Sequence, residues 1–133
     1  MDENVIADFL QTRQFAVFGA SDKPNSDGLK IVQRLVKSGF QTFPINPRIA
    51  KIGTMRCFGN LDEVPVTPMV VLIKLQPDYT LEVLRSSVAH GVRRFWIEPG
   101  SDSDDVLTYL SEHGLSAVTG VSILERLAMG KKS

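Results

Sequence analysis

The chain has 133 residues and balances 15 Lys and Arg against 15 Asp and Glu, so its formal net charge at pH 7 is zero. This balance gives no global field to attract nucleic acid or an anionic membrane surface. No apolar run approaches the roughly 20 residues that span a bilayer, and the N-terminus lacks the pattern of a secretory signal. The single Cys57 permits no internal disulfide and no cysteine-based metal cluster. We expect one cytoplasmic domain over residues 1–133, long enough to bury a substantial core.

Predicted helices and strands alternate along the whole chain. A leading helix at 2–12 has an apolar side that would pack onto a sheet or a second subunit. The predicted strands are 15–18, 41–44, 69–74, 94–97 and 115–118. The predicted helices are 29–38, a short turn at 60–64 capped by Asn60, then 79–90, 103–113 and 121–129. The alternation predicts an α/β fold, a Rossmann-like, doubly wound, mostly parallel five-stranded sheet with helices on both faces.

The turn after the first strand is the most informative segment for function. Residues 15–28 read FAVFGASDKPNSDG, an apolar strand that meets a glycine, a polar loop and then a helix. Gly19 allows a tight turn, and the following helix presents backbone N–H groups and the positive end of its dipole. Four polar side chains add donors suited to anionic oxygens: Ser21, Lys23, Asn25 and Ser26. The segment predicts a phosphate site, although turn geometry, helix capping and a solvated lysine would each explain part of it.

The end of the second strand narrows the choice of ligand. A dinucleotide fingerprint would read G-x-G-x-x-G, with an acidic residue about 20 positions later to hold a ribose diol. The chain has neither feature and carries P-I-N-P-R at residues 44–48 instead. Asn46 can donate hydrogen bonds, and Arg48 adds a fixed positive charge. These residues favour an adenine nucleotide that carries an extra phosphate over a nucleotide bound through an unphosphorylated ribose diol.

Several motifs together resemble a known family. The pattern G-A-S-x-K-P at 19–24 is followed by P-I-N-P at 44–47, L-D-E-V-P at 61–65 and W-I-E-P-G at 96–100. Over residues 9–121 the sequence resembles the small CoA-binding proteins, which are related to the N-terminal domain of NDP-forming acyl-CoA synthetases and to the succinyl-CoA synthetase α subunit. The resemblance implies a Rossmann-like fold with coenzyme A as its ligand.

We expect the ligand to lie along the carboxyl edge of the sheet. The pyrophosphate would lie over residues 19–21, Lys23 and Arg48 would neutralise phosphate charge, and residues 46–47 would border the adenosine. The pantetheine arm would pass Ile73 and Lys74, although a charge at a strand end is often merely solvated. The predicted binding residues are Gly19, Ala20, Ser21, Lys23, Asn25, Ser26, Gly28, Asn46, Pro47, Arg48, Ile73 and Lys74.

Two residues depart from the family pattern. Gly28 stands where many stand-alone members have serine, and its missing side chain could let a phosphate approach the backbone. Ser122 stands where stand-alone members often have a cysteine, so a thiol-dependent role at that position is absent.

The sequence offers little for catalysis. His90 and His113 each precede a glycine, which predicts residues near a helix C-terminus rather than catalytic bases. The family's ligases phosphorylate a histidine in a domain beyond the CoA-binding one, and we expect the chain to end before such a domain. We predict a CoA or acyl-CoA binding protein without chemistry of its own, with a second copy of the chain or a ligase partner chain as candidate partners. Two alternatives stay open: the CoA-binding subunit of a multi-chain NDP-forming acyl-CoA ligase, and a regulatory module that senses NAD(P).

Overall fold

The structure is a computed structural model that describes residues 3–130. The sequence predicts a short polar tail at residues 130–133. Gly130 instead ends the last helix, and residues 131–133 lie outside the described residues. In chain order the elements are α1 (Glu3–Gln11), β1 (Gln14–Phe18), α2 (Asp27–Lys37), β2 (Gln41–Ile45), β3 (Lys51–Ile52), β4 (Met55–Arg56), a 3₁₀ turn (Leu61–Glu63), β5 (Val70–Ile73), α3 (Pro77–Ala89), β6 (Arg94–Ile97), α4 (Asp104–Glu112), β7 (Ser116–Thr119) and α5 (Ile123–Gly130).

The central sheet has five strands in the order β2-β1-β5-β6-β7. Every neighbouring pair in this sheet is parallel, which confirms the predicted Rossmann-like α/β fold. The connections reverse direction beside β1, because β2 lies on one side of it and the later strands lie on the other. In open α/β sheets a crevice for ligands forms outside the carboxyl ends of the strands at such a reversal. The topology therefore directs attention to the residues that follow β1 and β5.

Helices cover both faces of the sheet because successive strand residues point in opposite directions. Val70 and Leu72 belong to a core shared with residues of α1, α2 and α5. Val71 and Ile73 belong to a second core shared with residues of α3 and α4. All four side chains are fully buried, as the unbroken apolar run at 69–74 predicts. The paired cores fix the sheet, and with it the positions of the loops at its carboxyl edge.

A small hairpin between β2 and β5 has no counterpart in the sequence prediction. Its strands β3 and β4 pair antiparallel, and Gly53 takes a positive φ of 61° at the turn between them. Each strand has two residues, which is too short for a hydrophobic period to be read from sequence. The hairpin brings Arg56 and the residues after it beside the end of β2, where Ile45 bridges Phe58.

The 3₁₀ turn forms where it is expected, with Asn60 in the predicted N-cap position. The Asn60 carbonyl accepts the Glu63 N–H at 3.3 Å, but the Asn60 side chain makes no capping hydrogen bond. The Glu63 carboxylate reaches back instead and accepts a hydrogen bond from the Gly59 N–H at 3.1 Å. Arg56 lies 3.8 Å from the same carboxylate oxygen, so Glu63 ties the hairpin to this turn.

Both histidines lie at helix C-termini, as predicted. The Nδ1 of His90 is 2.8 Å from the Ser86 carbonyl at the end of α3. The Nδ1 of His113 is 2.9 Å from the Tyr109 carbonyl at the end of α4. Each ring therefore adds a second contact to a carbonyl that already accepts the backbone N–H of the same histidine.

Candidate functional site

The turn after β1 is packed closely against the end of β5. Gly19 has a φ of 91°, and a Cβ built on it would lie 2.0 Å from the Lys74 carbonyl oxygen. A side chain at this position would therefore be strained by its φ and would also collide with the neighbouring backbone. The absence of a side chain at Gly19 consequently lets the β1 loop lie against the loop after β5, where the strand order reverses.

Gly28 has a packing role in the first turn of α2. A Cβ on Gly28 would lie 2.1 Å from the Gly19 carbonyl oxygen and 3.1 Å from the Ser21 nitrogen. The space that a side chain would occupy is filled by the preceding loop, in contrast to the open approach for phosphate that the sequence suggested. The absence of a side chain lets the N-terminus of α2 lie directly under the loop.

The loop itself is ordered by its own polar side chains. Ser21 Oγ accepts a hydrogen bond from the Lys23 N–H at 3.0 Å. Ser26 caps α2 by accepting from the Leu29 N–H at 3.2 Å, and its hydroxyl donates to the Lys23 carbonyl at 2.8 Å. Asn25 has a φ of 66°, a left-handed conformation that asparagine tolerates. Two of the predicted phosphate donors, Ser21 and Ser26, therefore also shape the loop, and the side chain of Lys23 extends into solvent.

Asn46 joins the loops that follow β1 and β2. Its Nδ2 donates to the Ala20 carbonyl at 2.8 Å, and its Oδ1 accepts from the Arg48 N–H at 2.8 Å. One donor of the side-chain amide is therefore used to position the β1 loop. The bond to the Arg48 N–H closes a local turn that presents Pro47 and Arg48 at the surface.

A cleft of about 480 Å³ opens between these loops and α3. Four predicted binding residues, Gly19, Asn46, Pro47 and Arg48, line it. The sequence prediction missed the opposite wall, since its residues carry no phosphate-binding signal. The remaining lining residues are Phe18, Ile45, Gly59, Leu75, Tyr79, Glu82 and Val83. A signal for them exists in the helical spacing of Tyr79, Glu82 and Val83, which places them on one side of α3 just after the carboxyl edge.

A neighbouring cavity of about 510 Å³ extends the cleft along the sheet edge, lined by Lys74, Leu75, Gln76, Tyr79 and Gly100. Leu75 and Tyr79 line both cavities, so the two cavities adjoin each other. Lys74 Nζ donates to the Pro99 carbonyl at 3.0 Å and lies 3.8 Å from Asp27 Oδ2. The lysine is thus half-buried and partnered rather than simply solvated.

Two predicted residues lie at this edge without presenting a side chain to it. Ile73 is fully buried in the core on the α3 and α4 side, and its carbonyl accepts from the Glu98 N–H at 3.0 Å. Ala20 is 1% exposed and packs in the opposite core. A ligand would meet the backbone of these residues rather than their side chains.

Glu98 is a buried carboxylate at the end of β6. It is 3% exposed and accepts hydrogen bonds from the Ile123 N–H at 2.8 Å and the Ser122 hydroxyl at 3.3 Å. Burial raises the pKa of the Glu98 carboxyl group above its ordinary value, against the lowering effect of these hydrogen bonds and of nearby Lys74. Glu98 therefore fastens the start of α5 to the carboxyl edge, and Ser122 completes that contact.

Cys57 has the surroundings of an unreactive thiol. It is 5% exposed, and its Sγ lies 3.8 Å from the Asn46 carbonyl. Burial raises the pKa of the Cys57 thiol, which keeps it protonated at neutral pH. Within residues 3–130 no cluster of three or more His, Cys, Asp or Glu side chains is arranged to hold a metal ion. None of the helices in this range has the length and apolar character to cross a membrane.

The fold and cleft define an open α/β domain with its crevice at the reversal of strand order. The sequence profile of the family described as "CoA binding domain" matches residues 13–127, and the chain belongs to that family. This membership confirms the resemblance seen in the sequence motifs.

One curated relative is an ADP-forming acetate–CoA ligase II from Archaeoglobus fulgidus, 26% identical over 90 residues. The alignment covers 66% of this chain and 13% of the ligase, so the chain spans a small part of that relative.

Solved structures share the fold over nearly the whole chain. A conserved hypothetical protein from Pyrococcus furiosus is 28% identical with a TM-score of 0.81, covering 86% of this chain and 98% of that one. A hypothetical protein from Pyrococcus horikoshii OT3 is 23% identical with a TM-score of 0.86, covering 96% and 92% of the two chains. A protein from Thermus thermophilus is 19% identical with a TM-score of 0.83, covering 96% and 99%.

Proposed function

We propose that this chain binds coenzyme A, free or acylated, along the carboxyl edge of its sheet and carries out no chemistry on it. The observation that carries the proposal is that Gly19, Asn46 and Arg48 line one cleft, which a second cavity adjoins at Leu75 and Tyr79. Membership of the CoA-binding domain family supports the choice of ligand.

The parts of the cleft match the parts of this ligand. Ile45, Leu75 and Val83 offer apolar walls for an adenine ring, and Tyr79 is 58% exposed at the junction of the two cavities. The N-terminus of α2 and Lys23 supply positive potential for the pyrophosphate. The cavity beside Lys74 and Gly100 then offers a path for the pantetheine arm.

Calorimetric titration at fixed salt tests the choice of ligand. CoA is expected to bind more tightly than NAD, NADH or ATP, because residues 44–48 offer no carboxylate for a ribose diol. Equal or tighter binding of NADH would favour the NAD(P)-sensing alternative and overturn the proposal.

A matched pair of variants tests the position of the cleft. Tyr79→Ala removes an aromatic ring between the two cavities and is expected to weaken CoA binding by about 1–3 kcal/mol, the range for loss of a stacked base. Leu107→Ala, on α4 and 42% exposed, removes apolar surface that lines neither cavity. A similar loss of affinity in both variants would contradict this placement.

The similarity to the acetate–CoA ligase supports a second function. In that case the chain would hold CoA for a ligase whose phosphohistidine and nucleotide-using parts lie on another polypeptide.

The purified chain is expected neither to hydrolyse acyl-CoA nor to form it from acid, CoA and ATP or GTP, because no nucleophile and base are paired within the described site. Turnover by the chain alone that disappears in Cys57→Ala or His90→Asn would overturn its catalytic silence. Ligase activity that co-purifies from cells, and separates from the chain at high salt, would favour the second function.

A further inference from the structure

A third cavity, of about 440 Å³, adjoins the proposed adenosine cleft. It shares four lining residues with that cleft, namely Asn46, Pro47, Arg48 and Gly59. Its other lining residues come from the loop after β2, from the end of β4 and the residue after it, and from the 3₁₀ turn: Ile49, Ala50, Arg56, Cys57 and Glu63. Two arginines from different elements, Arg48 and Arg56, therefore line one cavity next to the proposed ribose position.

Arg48 is held at the border of this cavity by its backbone. Its N–H donates to Asn46 Oδ1 at 2.8 Å, and the same Asn46 side chain is anchored to the Ala20 carbonyl. Among residues 3–130 the Arg48 guanidinium has no hydrogen-bond or ion-pair partner. Its fork of donors can therefore meet a ligand without giving up a bond within the protein.

Arg56 approaches from the hairpin and is also positioned. Its guanidinium carbon lies 4.6 Å from the centroid of the Phe58 ring, a cation–π geometry. Glu63 is 3.8 Å away, and the nearer Glu63 oxygen already accepts the Gly59 N–H. At that separation the ion pair is weak, and the side chain of Arg56 is 67% exposed. A doubly charged anion would compete well for this guanidinium.

We propose that Arg48 and Arg56 form a second phosphate subsite, which binds the phosphomonoester on the ribose of the nucleotide, the 3′-phosphate when the ligand is CoA. A phosphomonoester dianion presents several acceptor oxygens, which paired guanidinium forks match better than a single ammonium group does. The ribose links the adenine to the pyrophosphate, so placing it at residues 46–47 directs its phosphate to the shared wall. This inference rests on the proposed function, and it adds a specificity residue, Arg56, on a hairpin that the sequence did not reveal.

Titrating wild type and variants with CoA and with 3′-dephospho-CoA tests the subsite. Wild type is expected to bind CoA about tenfold more tightly than 3′-dephospho-CoA, and Arg56→Ala is expected to lose about fivefold to tenfold for CoA alone. Arg56→Lys keeps the charge without the fork and is expected to fall between them. Lys51→Ala is the matched control, because Lys51 pairs directly with Arg56 across the hairpin and does not line the cavity.

Each outcome bears on a different statement. A fall in affinity for both ligands in Arg56→Ala would show a general disturbance of the hairpin and overturn the subsite. Equal losses in Arg56→Ala and Lys51→Ala would show diffuse charge attraction and overturn it as well. Equal wild-type affinity for CoA and 3′-dephospho-CoA would overturn the subsite while leaving the proposed function intact. Failure of wild type to bind either ligand would overturn both.

Discussion

At the scale of single residues, two glycines decide how closely the β1 loop can lie against its neighbours. Gly19 faces the Lys74 carbonyl, and Gly28 faces the Gly19 carbonyl. At the proposed phosphate site, the backbone of the β1 loop therefore lies in direct contact with the residue after β5 on one side and with the first turn of α2 on the other. The sequence predicted the turn at Gly19 from its context, whereas the packing role of Gly28 depends on a contact between segments that no local pattern records.

Gly28→Ala is therefore expected to destabilise the fold by about 1–3 kcal/mol, the usual cost of overpacking. The better helix propensity of alanine would offset about 1 kcal/mol of the clash. Gly53→Ala is the control, since Gly53 has a positive φ but no atom within 4 Å of an added Cβ. It should lose about 1 kcal/mol through backbone strain alone. Denaturant unfolding followed by circular dichroism measures both, and a Gly28→Ala protein as stable as wild type would contradict the packing.

Lys23→Ala tests the phosphate role of the loop separately from its structure. The Lys23 side chain is exposed, so its removal is expected to leave stability within about 0.5 kcal/mol of wild type. CoA binding should weaken by about 1–3 kcal/mol if the ammonium group meets a phosphate. Lys30→Ala removes the same charge from an exposed position further along α2 and serves as the control in calorimetry. Unchanged affinity in Lys23→Ala would place the phosphate elsewhere.

At the scale of elements, the ends of helices are fastened by charged side chains from other segments. Glu98, after β6, holds the start of α5, and Asp62, in the 3₁₀ turn, lies 2.6 Å from His90 at the end of α3. The sequence predicted both helices and the position of His90 near its helix end. It could not show these partners, which lie 25 and 28 residues away along the chain.

Glu98→Ala is expected to destabilise the fold by about 1–3 kcal/mol, because the Ile123 N–H would be left buried without its acceptor.

Glu98→Gln keeps an acceptor and removes the buried charge. Since burial raises the pKa of Glu98 in the folded protein, wild-type stability should fall as pH rises from about 4.3, the unfolded value, through the folded pKa. Glu98→Gln should therefore gain stability relative to wild type between pH 4 and pH 8. A difference that does not vary with pH, measured by denaturant unfolding, would contradict this origin.

His90 should also make the stability of the fold depend on pH. Its pKa is raised as well, but here the protonated form is the charged one. Its bonds to the Ser86 carbonyl and to Asp62 favour the protonated ring and raise the pKa of His90 above its ordinary value. Its stabilising effect is thus fully present below about pH 6.5, the unfolded pKa, and is lost as pH rises through the folded pKa. His90→Asn should cost less than about 1 kcal/mol at pH 6, because both partners are solvent-exposed, and less still at pH 8.5. Asp62→Asn should reproduce part of the loss at pH 6, and a cost that grows with pH would contradict the assignment.

At the scale of the whole molecule, the sheet brings together loops that are distant in sequence. The order of strands and helices along the chain was predictable because the apolar run at 69–74 and the glycines after α2, α3 and α4 mark the elements clearly. The positions of Gly19, Asn46 and Arg48 at one edge followed from the parallel topology. Helical spacing places Tyr79 and Val83 on one side of α3, but it does not show that this side faces the cleft. That contact, and the hairpin that carries Arg56, depend on how the elements pack.

The most direct test of the account is the response of the backbone amides to CoA, followed by NMR in isotope-labelled protein. The account predicts shifts concentrated at the carboxyl edge, in residues 19–28, 45–48 and 73–83, with further shifts near Arg56. The amides of Val64, Val66 and Thr67, next to His90 at the opposite edge of the sheet, should change little. Shifts confined to that opposite edge, or no shifts at millimolar CoA, would contradict CoA binding at this site.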